Sequence, residues 1–121
     1  MNYSALTLQY FETVPGSGAL SGSDVYRGAA GSRAQGTWVQ FDVQVDAGTI
    51  RAARFLAFGC PHTIAVSAWV AEHAVGHQVR ATLPESVQGL SERFGVPVEK
   101  RGRLLIIEDA WVAAVNAALQ R

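Results

Sequence analysis

The stretch from Thr37 to Phe58 has the clearest pattern of apolar and polar residues in the chain. Within Thr37–Asp46, apolar residues occupy every second position from Val39 onward; they are Val39, Phe41, Val43 and Val45. Because side chains on a strand point alternately to its two faces, this pattern predicts a strand with one face in the core and Asp42 on the face in water. A turn at Asp46-Ala47-Gly48 and a further apolar segment, Thr49–Phe58, predict an antiparallel hairpin.

Helical patterns lie on both sides of this hairpin. A weak apolar stripe predicts a short helix over residues 1–13. Proline suits the first position of a helix, so a second helix is expected from Pro61 to about Val75. Two more are predicted, from Leu83 to Phe94 and from Arg103 to Leu119. Strands followed by helices indicate an α+β fold, a small antiparallel sheet with helices packed on one face.

The segment between the first helix and the hairpin holds most of the glycine and serine. It predicts turns around short edge strands at Ala19–Gly22 and Val25–Ala30. Gly28-Ala29-Ala30-Gly31 is not followed by the Lys-Ser/Thr of a phosphate-binding loop and is interpreted as a turn. Core positions are predicted in both halves of the chain; they are Val39, Phe41, Val43, Ile64, Ala68, Leu105 and Ala113.

Length and charge narrow the classes of function. The 121 residues predict one domain, residues 1–121, and 49% of them are apolar. Ten Lys and Arg balance ten Asp and Glu, so the basic excess typical of nucleic-acid binding is absent. The N-terminal residues do not resemble a secretory leader and no apolar run has the length of a membrane span. The expectation is a cytoplasmic protein that binds neither nucleic acid nor membrane.

Cys60 is the only cysteine and follows the predicted hairpin directly. The following Pro61 places it at the expected N-terminus of a helix, where free N–H groups and the helix dipole favour a thiolate. A thiolate is the form of cysteine that attacks sulfur and binds metals. Unpaired cysteines are also often small buried core residues. On the chemistry alone, both interpretations of Cys60 stay open.

The sequence around Cys60 resembles a known signature. Residues 53–76, ARFLAFGCPHTIAVSAWVAEHAVG, are similar to the central segment of NifU/IscU-type iron–sulfur cluster scaffolds, in which a strand ends in aromatic-Gly-Cys before an Ile-Ala-rich helix. Matching residues also occur elsewhere along the chain; they are Tyr3-Ser4, Phe11-Glu12, Glu72, Gly76, Val96-Pro97 and Glu108-Asp109-Ala110. The resemblance implies a SufE/NifU-like fold and a non-enzymatic role in iron–sulfur cluster assembly with a cysteine desulfurase as partner. It leaves a homodimer open.

The resemblance also implies an iron–sulfur cluster or zinc, held by three cysteines with an Asp and a His nearby. The first cysteine motif of the family falls on Ala34-Gln35-Gly36, the second cysteine is Cys60, and a His-Cys pair falls on Gly102-Arg103. One ligand of the set therefore remains, with His62 as a weak further candidate. Arg33 is expected beside the same pocket.

Two further features depart from the family. A fixed cation at Arg103 opposes metal binding and favours a thiolate at Cys60. The segment Val96-Pro97-Val98-Glu99-Lys100 lacks the double proline of the family's chaperone-recognition segment. His73 and His77 are four residues apart but are interpreted as surface residues.

Three hypotheses follow for the function. The chain is a cluster assembly scaffold with weakened or dimer-shared metal binding, a SufE-type sulfur acceptor that acts through Cys60, or a pseudo-scaffold that binds the assembly machinery without chemistry. The family resemblance favours the first hypothesis, and the residues favour the second or third.

Overall fold

The computed structural model describes residues 2–120. Its elements, in chain order, are helix α1 (Ala5–Thr13), strands β1 (Val25–Ser32), β2 (Thr37–Asp46) and β3 (Thr49–Phe58), helices α2 (Pro61–Ala74) and α3 (Val87–Phe94), a single 3-10 turn (Val98–Lys100) and helix α4 (Arg101–Leu119). The strands form one antiparallel sheet in the order β1-β2-β3. Helix α4 packs on β1 and β2, α2 packs on β3, and α1 packs on α2. The predicted α+β class is confirmed.

The predicted hairpin is present with the predicted strand limits. Trp38 pairs with Phe58 and Phe41 pairs with Phe55, with one irregularity between Gln44 and Val45. The alternating apolar residues of β2 face the core and are fully buried; they are Val39, Phe41 and Val43. The period of two in the sequence therefore identified the strand and its buried face correctly.

The predicted core of the helices is only partly right. Ala68 is fully buried, but Ile64 and Ala113 are half-buried. Leu105 is 51% exposed, and its neighbour Leu104 is buried instead. Helix α4 is apolar nearly all round, so its sequence pattern does not fix which side packs on the sheet. The prediction for Leu105 is therefore wrong.

The segment before β1 pairs with Phe55 at the edge of β3 through residues 16–18, and Leu20 then lies over the face of the sheet that was predicted to lie in water. Residues 19–22 are not a strand, contrary to the prediction. The Leu20 N–H donates to Asp42 Oδ2 at 2.9 Å, and Arg27 forms a bidentate pair with the same carboxylate at 2.8 and 2.9 Å. Asp42 is 1% exposed, so its predicted position in water is wrong. Burial raises the pKa of Asp42, but the hydrogen bonds from Arg27, Leu20 and Gln40 lower it by more than burial raises it. The net pKa of Asp42 is therefore below its usual range.

Gly28 lies inside β1, so the strand predicted at Val25–Ala30 is confirmed and the interpretation of Gly28-Ala29-Ala30-Gly31 as a turn is wrong. A Cβ atom at Gly28 would lie 2.1 Å from the backbone nitrogen of Ala114 in α4. The helix backbone therefore rests directly on the strand. The absence of a side chain at Gly28 permits this close approach.

The helix limits differ slightly from the predicted ones. Helix α3 begins at Val87 and not at Leu83, because the Ser86 side chain caps it by accepting a hydrogen bond from the Gly89 N–H at 3.0 Å. Helix α2 ends at Ala74, and α4 begins two residues before the predicted Arg103. None of the helices within residues 2–120 combines the length and apolar character that crossing a membrane requires.

Candidate functional site

The candidate site lies where β3 passes into α2. Cys60 is the N-cap residue of α2 and Pro61 is its first residue, as the sequence predicted. Gly59 packs closely on the following turn, since a Cβ there would lie 3.0 Å from the Thr63 side chain. The cysteine therefore sits over the free N–H groups of the first helical turn.

The thiol of Cys60 is half-buried and held by the first turn of α2. Its sulfur lies 3.6 Å from Thr63 Oγ1. Burial raises the pKa of the Cys60 thiol, but the nearby backbone N–H and hydroxyl of Thr63, the backbone N–H of His62 and the charge of Arg103 lower it more. The net pKa is below the ordinary thiol value, so a larger fraction of Cys60 is thiolate at neutral pH.

Two arginines that the sequence placed near the pocket come from different elements. Arg103 lies in the first turn of α4, and its charge acts on both Cys60 and His62. Arg33 lies on the β1–β2 turn, with its guanidinium carbon 5.7 Å from the centroid of the Phe58 ring. The β1–β2 turn, the end of β3 and the start of α4 therefore converge near Cys60.

His62 is buried behind the cysteine. It is 1% exposed, its ring meets Tyr3 edge-on at 4.8 Å, and its Nδ1 atom has no hydrogen-bond partner among residues 2–120. Burial lowers the pKa of His62, and the charges of Lys100 and Arg103 lower it further. Both effects favour the neutral form of the imidazole.

The residues at the expected ligand positions do not fit an iron–sulfur cluster or zinc bound by one chain. Ala34, Gly36 and Gly102 have no donor side chains, and Arg103 is a cation. In the part of the chain that the structure describes, no group of three or more His, Cys, Asp and Glu side chains could hold a metal ion. A tetrahedral site needs about four donors.

His73 and His77 do not form a second donor pair. Helix α2 ends between them at Ala74. The His73 ring stacks on Trp69 with the centroids 4.0 Å apart, and its Nδ1 atom is hydrogen-bonded to the Trp69 carbonyl at 2.9 Å. Both histidines are exposed, as predicted.

Sequence reasoning missed two residues of this site. Thr63 contributes its backbone and its hydroxyl to the thiol, and Lys100 contributes charge near His62. The signal for Thr63 was available, because the residue three positions after an N-cap can hydrogen-bond back to it. The position of Lys100 depends on the approach of the 3-10 turn to α2, which no local pattern indicates.

The architecture and this junction define a class of small α+β domains that carry one cysteine at a strand-to-helix turn. The family model described as the NifU-like N terminal domain matches residues 2–121. The chain belongs to this family, and the resemblance to NifU/IscU-type scaffolds is confirmed.

Relatives and solved structures agree with this assignment. The iron sulfur cluster assembly protein 1 of Trachipleistophora hominis is 27% identical over 117 residues, which is 95% of this chain and 85% of that protein. The iron–sulfur cluster assembly scaffold protein IscU of Escherichia coli K12 is 29% identical over 118 residues, 95% of this chain and 92% of that protein.

Among crystal structures, the N-terminal part of a nitrogen-fixing NifU-like protein from Brucella abortus has a TM-score of 0.76 at 15% identity and covers 98% of this chain and 94% of that one. A Fervidobacterium islandicum protein, provisionally described as an iron–sulfur cluster assembly scaffold for the SUF system, has a TM-score of 0.75 at 15% identity, with 93% and 96% covered. At this identity, both structures show the shared fold.

Proposed function

We propose that this chain serves iron–sulfur cluster assembly as a sulfur carrier, in which Cys60 accepts one sulfur atom from a cysteine desulfurase. The observation that carries this proposal is the contrast between the state of the Cys60 thiol and the set of metal donors around it. The one thiol of the chain is activated and partly open, whereas the metal donors around it are incomplete within a single chain.

The surroundings of Cys60 suit a nucleophile better than a metal ligand. A lowered pKa increases the thiolate fraction, and the thiolate is the species that attacks sulfur. The positive charge of Arg103 stabilises a thiolate and opposes the approach of a metal cation. The thiol also needs a reducing compartment to stay free, which agrees with a cytoplasmic site of action.

The proposed transfer is a thiol–persulfide exchange. The Cys60 thiolate attacks the terminal sulfur of the desulfurase persulfide, and a new S–S bond forms while the old S–S bond breaks. The terminal sulfur keeps its proton, and the desulfurase cysteine leaves as a thiolate. No external oxidant or reductant is needed, because one persulfide replaces another.

The same residues would hold the product. Once the terminal sulfur loses its proton, a persulfide on Cys60 carries its negative charge one atom further from the backbone than the thiolate does. The Arg103 guanidinium and the N–H groups at the start of α2 favour this anion for the same electrostatic reason. Phe58, two residues before the cysteine and 44% exposed, offers an apolar contact for the donor protein.

The proposal is tested by incubating the reduced chain with a cysteine desulfurase and free cysteine, followed by intact mass measurement. We expect the mass of one added sulfur, removable by a thiol reductant and absent in Cys60→Ser. Arg103→Gln should accept sulfur more slowly than the parent chain. Arg54→Gln is the matched control, because Arg54 bonds to the Ser17 carbonyl on the other face of the sheet.

Two results would overturn the sulfur-carrier proposal. Stoichiometric iron or zinc after anaerobic purification, lost in Cys60→Ser, would favour a scaffold that completes its ligands with a second copy. Binding of the desulfurase without any sulfur adduct would instead favour a pseudo-scaffold.

A further inference from the structure

Strand β1 lies at one edge of the three-stranded sheet, with β2 as its neighbour. We propose that this edge is an interaction surface for a second copy of the chain, whose β1 pairs with it in the antiparallel direction. The two sheets then join into one sheet of six strands. This inference does not rest on the proposed chemistry of Cys60.

The backbone groups that point away from β2 belong to the odd-numbered residues of β1. In an antiparallel pair, alternate residues direct their N–H and C=O groups toward the partner strand, and the residues between them direct theirs away. The Val45 N–H donates to the Asp24 carbonyl at 3.2 Å, so the even-numbered residues of β1 bond to β2. The residues that point outward are therefore Val25, Arg27, Ala29 and Gly31.

These outward groups are open to another strand. Arg27, Ala29 and Gly31 are exposed, and Val25 is half-buried. In the part of the chain that the structure describes, no hydrogen bond from another segment reaches the backbone of these four residues. The Arg27 side chain does not obstruct the edge, because Asp42 holds it on the face of the sheet. Strand backbone without partners on one side is a template for pairing with a further strand.

The other edge of the sheet is closed by the chain itself. On β3 the Phe55 N–H donates to the Gly16 carbonyl, and the Phe55 carbonyl accepts from the Gly18 N–H, both at 2.9 Å. Proteins also protect open edges with proline, lysine or a bulge. Strand β1 contains no proline or lysine and pairs with β2 in a regular register. The chain therefore protects one edge of its sheet and leaves the other available.

The sequence of β1 fits a second copy of itself. With a twofold axis beside Gly28, Arg27 lies opposite Ala29 of the second copy, and Val25 lies opposite Gly31. All four outward residues then bond to the other copy, whereas a shift by two residues in either direction pairs only three. This register also keeps the two Arg27 side chains from lying directly opposite each other, where their like charges would repel.

Such a dimer leaves both thiols free. Cys60 follows β3, which lies at the edge of the sheet remote from β1. Five strand spacings of about 4.8 Å separate the two β3 strands of the dimer, which is roughly 24 Å. This dimer therefore differs from one in which two copies of Cys60 share a metal.

The test combines sedimentation velocity with amide hydrogen exchange on the whole chain, over a range of concentrations and with a thiol reductant present. We expect an equilibrium between monomer and dimer. As the dimer forms, exchange of the outward amides should slow by roughly tenfold or more; these are Val25, Arg27, Ala29 and Gly31. The even-numbered residues of β1, which already bond to β2, are the internal control.

Variants at the edge test the pairing and its register. Ala29→Pro should abolish the dimer, because proline has no N–H and is tolerated in a strand where the N–H faces solvent. Ala29→Glu places a carboxylate opposite Arg27 of the second copy, whereas Ala29→Arg places a like charge there. Because two such contacts form in each dimer, the dimer of Ala29→Arg should be roughly tenfold weaker than that of Ala29→Glu. The matched control is Leu56→Lys on β3, at a side chain that is 37% exposed; it should dimerise like the parent chain.

Four outcomes would overturn the inference. The chain stays monomeric at the concentrations used for NMR, or it forms a dimer whose four outward amides exchange as fast as in the monomer. Alternatively, Leu56→Lys dissociates the dimer and Ala29→Pro does not, or Ala29→Glu and Ala29→Arg dimerise equally well. If Ala29→Pro does not fold, the comparison of the two charged variants still decides, because Ala29 is exposed and tolerates both side chains in the monomer.

Discussion

Replacing Gly28 by alanine tests the packing of α4 on the sheet. The added methyl would lie 2.1 Å from the Ala114 nitrogen, 2.5 Å from the Ala113 carbonyl carbon and 2.7 Å from the Ala114 Cα. All three are backbone atoms of a helix, so no side chain can rotate away. Either α4 moves as a unit or β1 bends.

The expected cost follows from this geometry. Overpacking a core typically costs about 1–3 kcal/mol, and more where the surroundings cannot adjust. With helix backbone as the obstacle, we expect Gly28→Ala to lower the free energy of unfolding by about 3 kcal/mol or more. Local propensity alone predicts the opposite sign, since alanine in a strand is favoured over glycine by roughly 0.5–1 kcal/mol.

Equilibrium urea unfolding, followed by tryptophan fluorescence, measures this difference. With a typical slope of about 2 kcal/mol/M, the midpoint should fall by about 1.5 M. Gly102→Ala is the matched control: its added Cβ meets nothing within 4 Å, and alanine in a helix favours stability by up to about 1 kcal/mol. A Gly28→Ala protein as stable as the parent chain would refute the direct contact between strand and helix.

Two further predictions concern titrating groups. Thr63→Val removes the hydroxyl but keeps the backbone N–H beside the thiol, so the pKa of Cys60 should rise and alkylation by iodoacetamide at neutral pH should slow; an unchanged rate would contradict the hydroxyl's role. Arg27 holds the pKa of Asp42 lower in the folded protein than in the unfolded chain. The ion pair therefore stabilises the fold fully above the pKa that Asp42 has in the unfolded chain, and this stabilisation is lost as the pH falls through its pKa in the folded protein. Asp42→Asn should therefore be less stable than the parent by about 1–3 kcal/mol at pH 7, with a smaller gap in acid; an equal gap at both pH values would contradict the ion pair.

The sheet could be predicted because the residue pattern that indicates each strand lies within the strand itself. Alternation over Thr37–Asp46 fixes both the strand and its buried face, and Pro61 after Cys60 marks the start of α2. The errors came from contacts distant in sequence. Asp42 has the pattern of a surface residue, but Leu20 and Arg27 bond to it in the fold. The glycines of residues 28–31 suggested a turn, whereas Gly28 is needed in β1 because α4 packs directly on it.

The features of the candidate site also divide into those that the local sequence predicts and those that depend on distant contacts. The position of Cys60 at a helix N-cap follows from its neighbours in the sequence, and the family resemblance placed Arg103 close by. The lowered pKa of Cys60 depends on a balance between burial and the polar groups around the thiol, and only the three-dimensional structure shows this balance. The segment that follows α2 takes an irregular course that is set by hydrogen bonds to Ile50 and Gly48, so no periodicity predicts it.

Strand β3 separates the two ends of the molecule. Its ten residues span roughly 30 Å, with Cys60 just beyond one end and Ile50 at the other. Helix α2 runs back along this strand, and just after its last turn Gly76 and His77 are hydrogen-bonded to Ile50. The helix that begins at Cys60 is therefore fastened to both ends of β3, so the thiol keeps a fixed position when a partner docks over it.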